Sequence, residues 1–453
     1  MIPEEYYKQQ LIEIRLLLTH LHKKKSLFAW LRFATVIAML ASWYLLSAKG
    51  LLFILSPIFV FAVLFVRLLF MDLKNKSAIE HNNFLVTINE NELKALAHDY
   101  YHFATGTEFI PKEHLYANDL DIFGHASLYQ YINRTNSQIG SNTLAEWLLK
   151  PATTEVILQR QIAIKELGYL SRWRQKLQAS GYAKKINTET LSRLQNWFEE
   201  ENIFINKKIW QWLQYLLPTI ILTIIALNIT NVIGDYLRNY CLLASALVAF
   251  FVSKKVTSIH QQVSKISGEL EVLTESIRLV EQATFTSPLL QQLQLSYKEQ
   301  NGTASEKLNK LRKIIERLDL RYNFVVFIPL DIILQWDLQQ AIALERWKKK
   351  NQKNVIDWFT KLGEFEALNS LAILSFNHKD WTFPEFKQAH FSIEGIEVGH
   401  PLLKADTCVP NPISISKAGE LMLVTGSNMA GKSTYLRSIG INTVLAMCGA
   451  PVY

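Results

Sequence analysis

Charged residues vanish from this chain in four places, grouped as two pairs. Phe33 to Ala48 and Gly50 to Val66 carry none, with Lys49 alone between them. Ile209 to Gly234 and Asn239 to Ser253 also carry none, with Asp235 and Arg238 between them. A helix crossing the hydrocarbon core of a bilayer needs about 20 apolar residues, with about 17 as a lower limit. Two of the runs fall slightly short, and Arg32, Arg67 and Lys254 at their edges extend them by carrying charge to the interface on an aliphatic stem. The pattern predicts two helical membrane hairpins, one over 30–48 and 50–70, the other within 207–256. The competing expectation is a pair of buried core hairpins in a large soluble protein. Flanking residues favour the membrane. Trp30, Trp210, Trp212 and Tyr215 sit at one end of their segments, and Tyr236 and Tyr240 at the opposite end of the second pair, as interfacial aromatic belts do. Lys23, Lys24, Lys25, Arg67, Lys74, Lys76, Lys207, Lys208, Lys254 and Lys255 bracket the pairs on the outside. The excess of Lys and Arg on that side predicts a multi-pass membrane protein with its long hydrophilic stretches in the cytoplasm. A cleavable signal peptide is not expected, because Glu4, Glu5 and Glu13 precede the first run and the second follows at once.

Between and after the hairpins the periodicity is helical. Ile259, Val263, Ile266, Leu270, Leu273, Ile277 and Val280 step by alternating fours and threes, the 3.5-residue period of long helices packed side by side. Leu308, Leu311, Ile315 and Leu318 repeat the pattern, and Leu191, Leu194 and Phe198 lead towards the second hairpin with helical spacing. Because the first seam starts directly after the fourth apolar run, one unbroken helix is expected to pass from bilayer to cytoplasm as a lever. After Leu374, Phe376, Trp381 and Pro384 interrupt the helical pattern and the composition turns strand-like. The expected organisation is an N-terminal segment with the first hairpin (1–78), a helical part (79–206), the second hairpin (207–256), a second helical part (257–378) and a final segment of strand and helix character (379–453).

A length of 453 residues allows two to four domains, and 49% hydrophobic against 19% charged residues is apolar for a soluble chain. The net charge of +8 suits an anionic partner, either nucleic acid or the inner leaflet. Arg346, Lys348, Lys349, Lys350 and Lys353, with Trp347 among them, are a candidate contact to DNA phosphates, set against a solvated helix face or a lipid-facing patch. Cys241, Cys408 and Cys448 are too few and too scattered for a disulfide framework or a zinc site.

The chemistry concentrates near the end, in GELMLVTGSNMAGKSTYLRSIG. Glu420 to Thr425 reads as a short apolar strand, followed by G-x-x-x-x-G-K-S with Gly426, Gly431, Lys432 and Ser433 in register and a helix through Leu436 and Ile439. Glycines let backbone N–H groups wrap phosphates, and a helix N-terminus adds positive dipole. Lys432 is expected to reach the β- and γ-phosphates of ATP, and the Ser433 hydroxyl to ligate Mg²⁺. These two residues carry any catalytic role, and Gly426, Ser427, Asn428, Met429, Ala430, Gly431, Lys432, Ser433 and Thr434 form the expected nucleotide contact. Hydrolysis also needs an acidic metal ligand and a group that positions water, and the last twenty residues contain neither Asp nor Glu. A continuation past Tyr453 carrying that half of the engine is therefore expected.

The loop interior, TGSNMAGKSTYLR, resembles the MutS family of DNA mismatch-repair ATPases, whose loop reads T-G-P-N-M-G-G-K-S-T-Y; Ser427 and Ala430 are the departures. GHPLLKADTCVPNPISI is similar to the family's segment before the ATPase strand, through His400, Pro401, Val409 and Asn411. The family often has an aromatic residue near the adenine, where this chain has Cys408. SLYQYINRTNSQIGSNTLAEWLLKP and ILQRQIAIKEL resemble its core and lever region at Leu128, Asn133, Arg134, Thr135, Gly140, Leu144, Trp147, Leu148, Pro151, Arg160, Gln161 and Leu167. The likeness covers about 115–205 and 255–453. The first hairpin stands where mismatch readers of the family carry their DNA-wedging domain, and the second stands where a clamp interrupts the levers. The resemblance implies a mainly α protein with a helical core and levers followed by the front of an α/β P-loop domain, tethered to a membrane and without the mismatch reader. It implies an ATP-driven conformational switch, a homodimer through the ATPase domains, and DNA as a further partner beside lipid. Two other readings stand against it: a transport or assembly protein driven by nucleotide, and a non-catalytic membrane anchor.

Overall fold

Helices begin where the sequence supplies their ends. A computed structural model describes residues 2–47, 50–299, 302–387, 392–427 and 431–453, and the fold is mainly α. The chain opens with α1 (Pro3–Leu46) and α2 (Leu51–Leu96), which pack along each other as a hairpin. At 1.5 Å per residue each is about 65–70 Å long, twice the thickness of a hydrocarbon core. Arg32 pairs with Asp72 at 2.9 Å where the uncharged runs begin, so its charge is neutralised by the neighbouring helix instead of reaching outward. Beyond that pair Phe33, Leu40, Trp43, Phe59 and Val60 are exposed. On the other side, the hairpin continues into the body.

A loop region leads to α3 (Leu128–Ile132), α4 (Gln138–Leu149), α5 (Thr154–Tyr169), α6 (Ser171–Tyr182) and α7 (Thr188–Glu199). Ser127 and Ser137 cap α3 and α4 by accepting from Gln130 N at 3.2 Å and Gly140 N at 2.9 Å. The second apolar pair is α8 (Lys208–Ile229) and α9 (Asp235–Ser264). The charges at its tip satisfy one another, with Arg238 on Asp235 at 3.0 Å and on the Asn228 amide oxygen at 2.7 Å. Among the described residues α1, α2, α8 and α9 are long and apolar enough to cross a membrane. Trp30, Trp212, Tyr215, Tyr236 and Tyr240 are exposed as a belt requires. Trp210 instead packs edge-on against Phe204 of the body.

The chain continues as α10 (Ser267–Gln282), α11 (Pro288–Leu295), a small antiparallel ribbon of β1 (Lys298–Glu299) and β2 (Gly302–Thr303), α12 (Ala304–Leu318), α13 (Phe324–Leu334) and α14 (Trp336–Asn377). Thr303 and Glu306 form a capping box that starts α12. Every residue of the two apolar seams is buried, from Ile259 to Val280 and from Leu308 to Leu318. The expected helix from the fourth apolar run into the seam is formed, but it does not cover the whole seam. Helix α9 does run past Lys254 and Lys255, but it ends at Ser264, and Ile266 has φ −101° and ψ 3° before α10 begins. A heptad pattern constrains which face is buried and leaves a one-residue change of helix axis open.

The long unbroken element is α14. Its 42 residues span about 63 Å, and from Leu362 to Leu374 every residue except Glu364 is buried, the polar Glu366, Asn369 and Ser370 included. Gly363 allows α4 to approach it: a Cβ there would lie 2.7 Å from Ile139 Cγ2 and 3.2 Å from Gly140 N. After α14, β3 (Ile393–Val398) and β4 (Asn411–Ile415) pair antiparallel, with Ile393 opposite Ile415, and α15 (Lys432–Cys448) follows. The strand expected over Glu420 to Thr425 is absent. That stretch carries no regular secondary structure, and Leu421 and Leu423 are exposed. An apolar strand of this kind holds its shape between ladder partners on both sides, and no described strand lies beside it.

Candidate nucleotide site and its mounting

Gly431 starts α15 with φ +79°, a left-handed conformation that glycine adopts without steric cost, and a Cβ there would meet no atom of the described residues within 4 Å. Lys432 and Ser433 follow in the first turn. The Lys432 ammonium folds back over the loop and donates to the carbonyls of Gly426 and Ser427. Ser433 and Thr434 are exposed at the same helix end. Gly426 and Ser427 are in irregular chain, and Asn428, Met429 and Ala430 lie outside the described residues. The arrangement thus brings one ammonium, the hydroxyls of Ser433 and Thr434 and the positive end of a 17-residue helix to one end of α15.

Tyr435 ties this helix to the preceding chain, its hydroxyl donating to Pro412 O at 2.9 Å. The segment resembling the MutS approach to the ATPase strand folds as a turn. His400 Nδ1 accepts from Leu402 N at 3.2 Å, and Cys408 Sγ accepts from His400 N at 3.2 Å. Cys408 is half-buried in this turn, while Val409 is exposed. Burial, helped by the Arg437 guanidinium, holds His400 below the usual histidine range.

The far end of α15 is seated on the helical body. Burial pushes the Cys448 thiol up to about 12, so it is a neutral donor, and it donates to Trp147 O at 3.0 Å. Arg160 lies 3.6 Å over the Trp147 ring. Gly449, at φ +85°, ends the helix, and a Cβ there would meet Arg160 Cβ at 2.7 Å and Ile157 O at 3.0 Å. Asn442 donates to Gly399 O at 2.8 Å and accepts from Tyr453 N at 2.8 Å. Arg437 pairs with Asp121 at 2.7 Å. Of these, Trp147 and Arg160 are positions of the resemblance, whereas nothing in the sequence singled out Asp121, Asn442 or Gly449.

The positions that carry the core resemblance gather around this joint. Asn133 Oδ1 accepts from Thr135 N and Oγ1, and Arg134 N donates to Ser370 Oγ of α14 at 3.0 Å. Gln161 Nε2 donates to Pro384 O at 2.9 Å, fixing the chain that leaves α14. Leu128, Leu144, Leu148 and Leu167 are wholly buried. Tyr131 OH and His378 Nε2 are 2.6 Å apart, and burial lowers His378 to about 4, so the neutral ring accepts and the phenol donates. The basic stretch on α14 is not a uniform surface. Trp347 is buried with its Nε1 donating to Lys307 O at 2.7 Å, and Lys348 is buried with its ammonium on Glu200 O. Arg346, Lys349, Lys350 and Lys353 remain exposed.

No protein-family profile matches the chain. It is similar to the DNA mismatch repair protein MutS of Aquifex pyrophilus, 32% identical over 149 residues that make up 32% of this chain and 16% of the relative. It is also similar to the proteins of the same name from Geobacillus sp. (strain WCH70), 37% identical over 93 residues, and Bacillus subtilis (strain 168), 34% over 93 residues. Those matches cover 19% and 20% of this chain and 10% of each relative, so the chain spans far less than two thirds of the relatives' length. Together the partial matches support a MutS-like relationship.

Proposed function

We propose that this chain is a MutS-like nucleotide-binding switch anchored in a membrane, in which α14 connects the nucleotide segment to the membrane hairpins. Lys432 would hold the β- and γ-phosphates of ATP in exchange for the loop carbonyls it now contacts, and Ser433 would contribute one oxygen to Mg²⁺. The two hairpins cross the bilayer, and the helical body lies on the side bearing the flanking lysines and arginines. The name of the relatives extends the proposal to DNA, for which the exposed Arg346, Lys349, Lys350 and Lys353 offer phosphate contacts. The proposal concerns binding and switching, and it assigns no hydrolytic step to these residues.

The carrying observation is where α14 is held. Near its first end Glu345 accepts from Ile203, Phe204 and Ile205 N at 2.7–2.9 Å, just before the second hairpin. At its last residue Asn377 accepts from Tyr7 OH at 2.7 Å and donates to Glu92 Oε2 at 3.1 Å, joining both helices of the first hairpin. Immediately beyond, Trp381 packs edge-on against Tyr453 beside α15.

The test uses the full chain in liposomes with a fluorescent ATP analogue and Mg²⁺, and hydrogen exchange along α14. Expected are saturable binding that Lys432→Ala abolishes and nucleotide-dependent protection at residues 336–345. Binding that survives Lys432→Ala overturns the site assignment. Binding without any change in α14 overturns the coupling.

A further inference from the structure

We infer that α13 is a third membrane-inserted element, a half-depth re-entrant helix embedded in the acyl chains beside α8 and α9. This rests on the membrane placement of the second hairpin proposed above.

The helix reads FVVFIPLDIIL, with Asp331 its sole ionisable residue. Its burial is inverted relative to a helix on a water-facing surface. Asp331 and Phe327 point inward, whereas Phe324, Val325, Val326 and Ile328 are 48–86% exposed. At 11 residues it is about 16 Å long, half of a hydrocarbon core.

Hydrogen bonds to α9 fix its depth. Just before α13, Arg321 Nη2 donates to Ser253 O at 3.0 Å and to Ser253 Oγ at 2.9 Å. At its other end Ser245 Oγ donates to Ile332 O, and Gln335 Nε2 donates to Ser245 O at 3.1 Å. Ser245 precedes Ser253 by eight residues, so the contact moves about 12 Å along α9 into its uncharged run. The exposed face of α13 is thus continuous with Leu243, Leu247, Phe250 and Phe251, which α9 exposes at the same level.

Lipid tolerates a helix end only where its backbone groups find partners, and this one has them. Helix α14 departs at 79° to α13, through Gln335 at φ +51°. Gln335 N donates to Asp331 O at 2.8 Å, Asp337 N to Asp331 Oδ1 at 2.9 Å, and Gln339 Nε2 to Leu334 O at 2.7 Å. The carbonyls of Asp331, Ile332 and Leu334 are all engaged. Helix α13 is therefore the foot of α14 rather than a loop passing over its end.

Spin labels at Val325→Cys, Leu247→Cys and Tyr169→Cys, in the full chain with Cys241 and Cys408 replaced by Ser and reconstituted in phosphatidylcholine vesicles, test this. The readout is collision with oxygen against a water-soluble nickel chelate. Expected is a several-fold higher oxygen-to-nickel ratio at Val325 and Leu247 than at Tyr169, which is exposed on the helical body. A lipid-like Leu247 with a water-like Val325 overturns the inference and leaves the hairpin standing. A Val325 label shielded from both reagents also overturns it, because protein, such as a second copy, then covers α13. Water-like values at both positions overturn the membrane placement itself.

Discussion

Removing one partner of the Arg134–Glu92 pair tests whether the first hairpin is locked to the end of α14. Arg134 Nε and Nη2 reach the two oxygens of Glu92, and both side chains are 2–3% exposed. Arg134 Nη1 also donates to Tyr131 O at 2.8 Å and Asn133 O at 3.0 Å, and the guanidinium lies 3.6 Å over Phe103. Arg134→Met takes from the buried Glu92 carboxylate its bidentate partner, leaving Asn377 and the nearby Arg174 guanidinium, and Glu92→Met strands the Arg134 guanidinium on two carbonyls. Each costs about 3–5 kcal/mol, whereas exchanging a whole buried pair for apolar side chains is often close to neutral. At about 1.4 kcal/mol per decade, either single change raises the opening equilibrium of the last turns of α2 by roughly two to three and a half powers of ten. The double variant Glu92→Met/Arg134→Met is expected to recover most of that loss. Hydrogen exchange at residues 85–96 of the reconstituted chain measures all four corners of the cycle. Additive losses in the double variant, or a single loss below about 1 kcal/mol, refute the account of a mutually dependent buried pair.

Gly449→Ala forces a left-handed alanine, about 1–2 kcal/mol, into contact with Ile157 O, which adds about 1–3 kcal/mol of overpacking. A lower thermal midpoint with the loop sequence intact is the expected result. Gly140→Ala drives a methyl into Glu366, whose carboxylate accepts from Ser137 N at 3.0 Å and Ser137 Oγ at 2.7 Å. That variant should lose about 1–3 kcal/mol in a denaturant titration, and Glu366→Gln in the same background should not restore it. His378 gives a pH dependence. Its folded value of about 4 lies below the ordinary 6.5, so the opened chain binds more protons between the two. The stabilisation is whole above pH 6.5 and is lost as pH falls towards 4, by about 3 kcal/mol in all. The difference in stability between the parent and His378→Gln should shrink through that window, and a pH-independent difference refutes the neutral buried ring.

The helical character of the body was legible because its apolar residues repeat with a fixed period, and the seams at Ile259–Val280 and Leu308–Leu318 are buried throughout. The break at Ile266 was not legible, since the apolar spacing runs through it without a fault. Helix α14 was hidden for a different reason. Its second half buries polar residues such as Glu366 and Asn369 among apolar ones, and its first half carries the Arg346–Lys353 charges, so no single amphipathic stripe marks it. Trp347 and Lys348 looked like surface in sequence because composition cannot show that Lys307 O and Glu200 O wait for their protons. Helix α13 was passed over because eleven residues are too few for a span by length alone. The start of α15 was legible at Gly431 and Lys432, where a glycine able to take positive φ precedes a helical run. Trp147 and Arg160 stood out through the resemblance, but that α15 is seated on them depends on a pairing about 300 positions apart that no local pattern shows.

A switch needs two arrangements that a ligand binds unequally, and the way α14 is held limits what those can be. Asn377 is fastened to Tyr7 and Glu92, each carried on a long helix of the first hairpin. Tyr7 stands about 39 Å along α1 from the first uncharged residue, Phe33. Sliding α14 along its axis would draw Asn377 away from both partners and expose the buried Glu92 carboxylate, a loss of several kcal/mol. Tilting α14 about Asn377 leaves those bonds in place, provided the 203–205 segment bonded to Glu345 moves with the helix. A tilt of about 5° over its length of roughly 60 Å displaces the opposite end by about 5 Å, close to one helical turn. That end carries α13, through a junction where Asp331, Gln335 and Asp337 are hydrogen-bonded together. A small rearrangement around Lys432, passed on through the α15 seat and Trp381 to the pivot, would therefore be largest where α13 meets α8 and α9. On the proposed switch reading, the candidate nucleotide segment and the second hairpin would lie towards the two ends of one lever, with the first hairpin as its fulcrum.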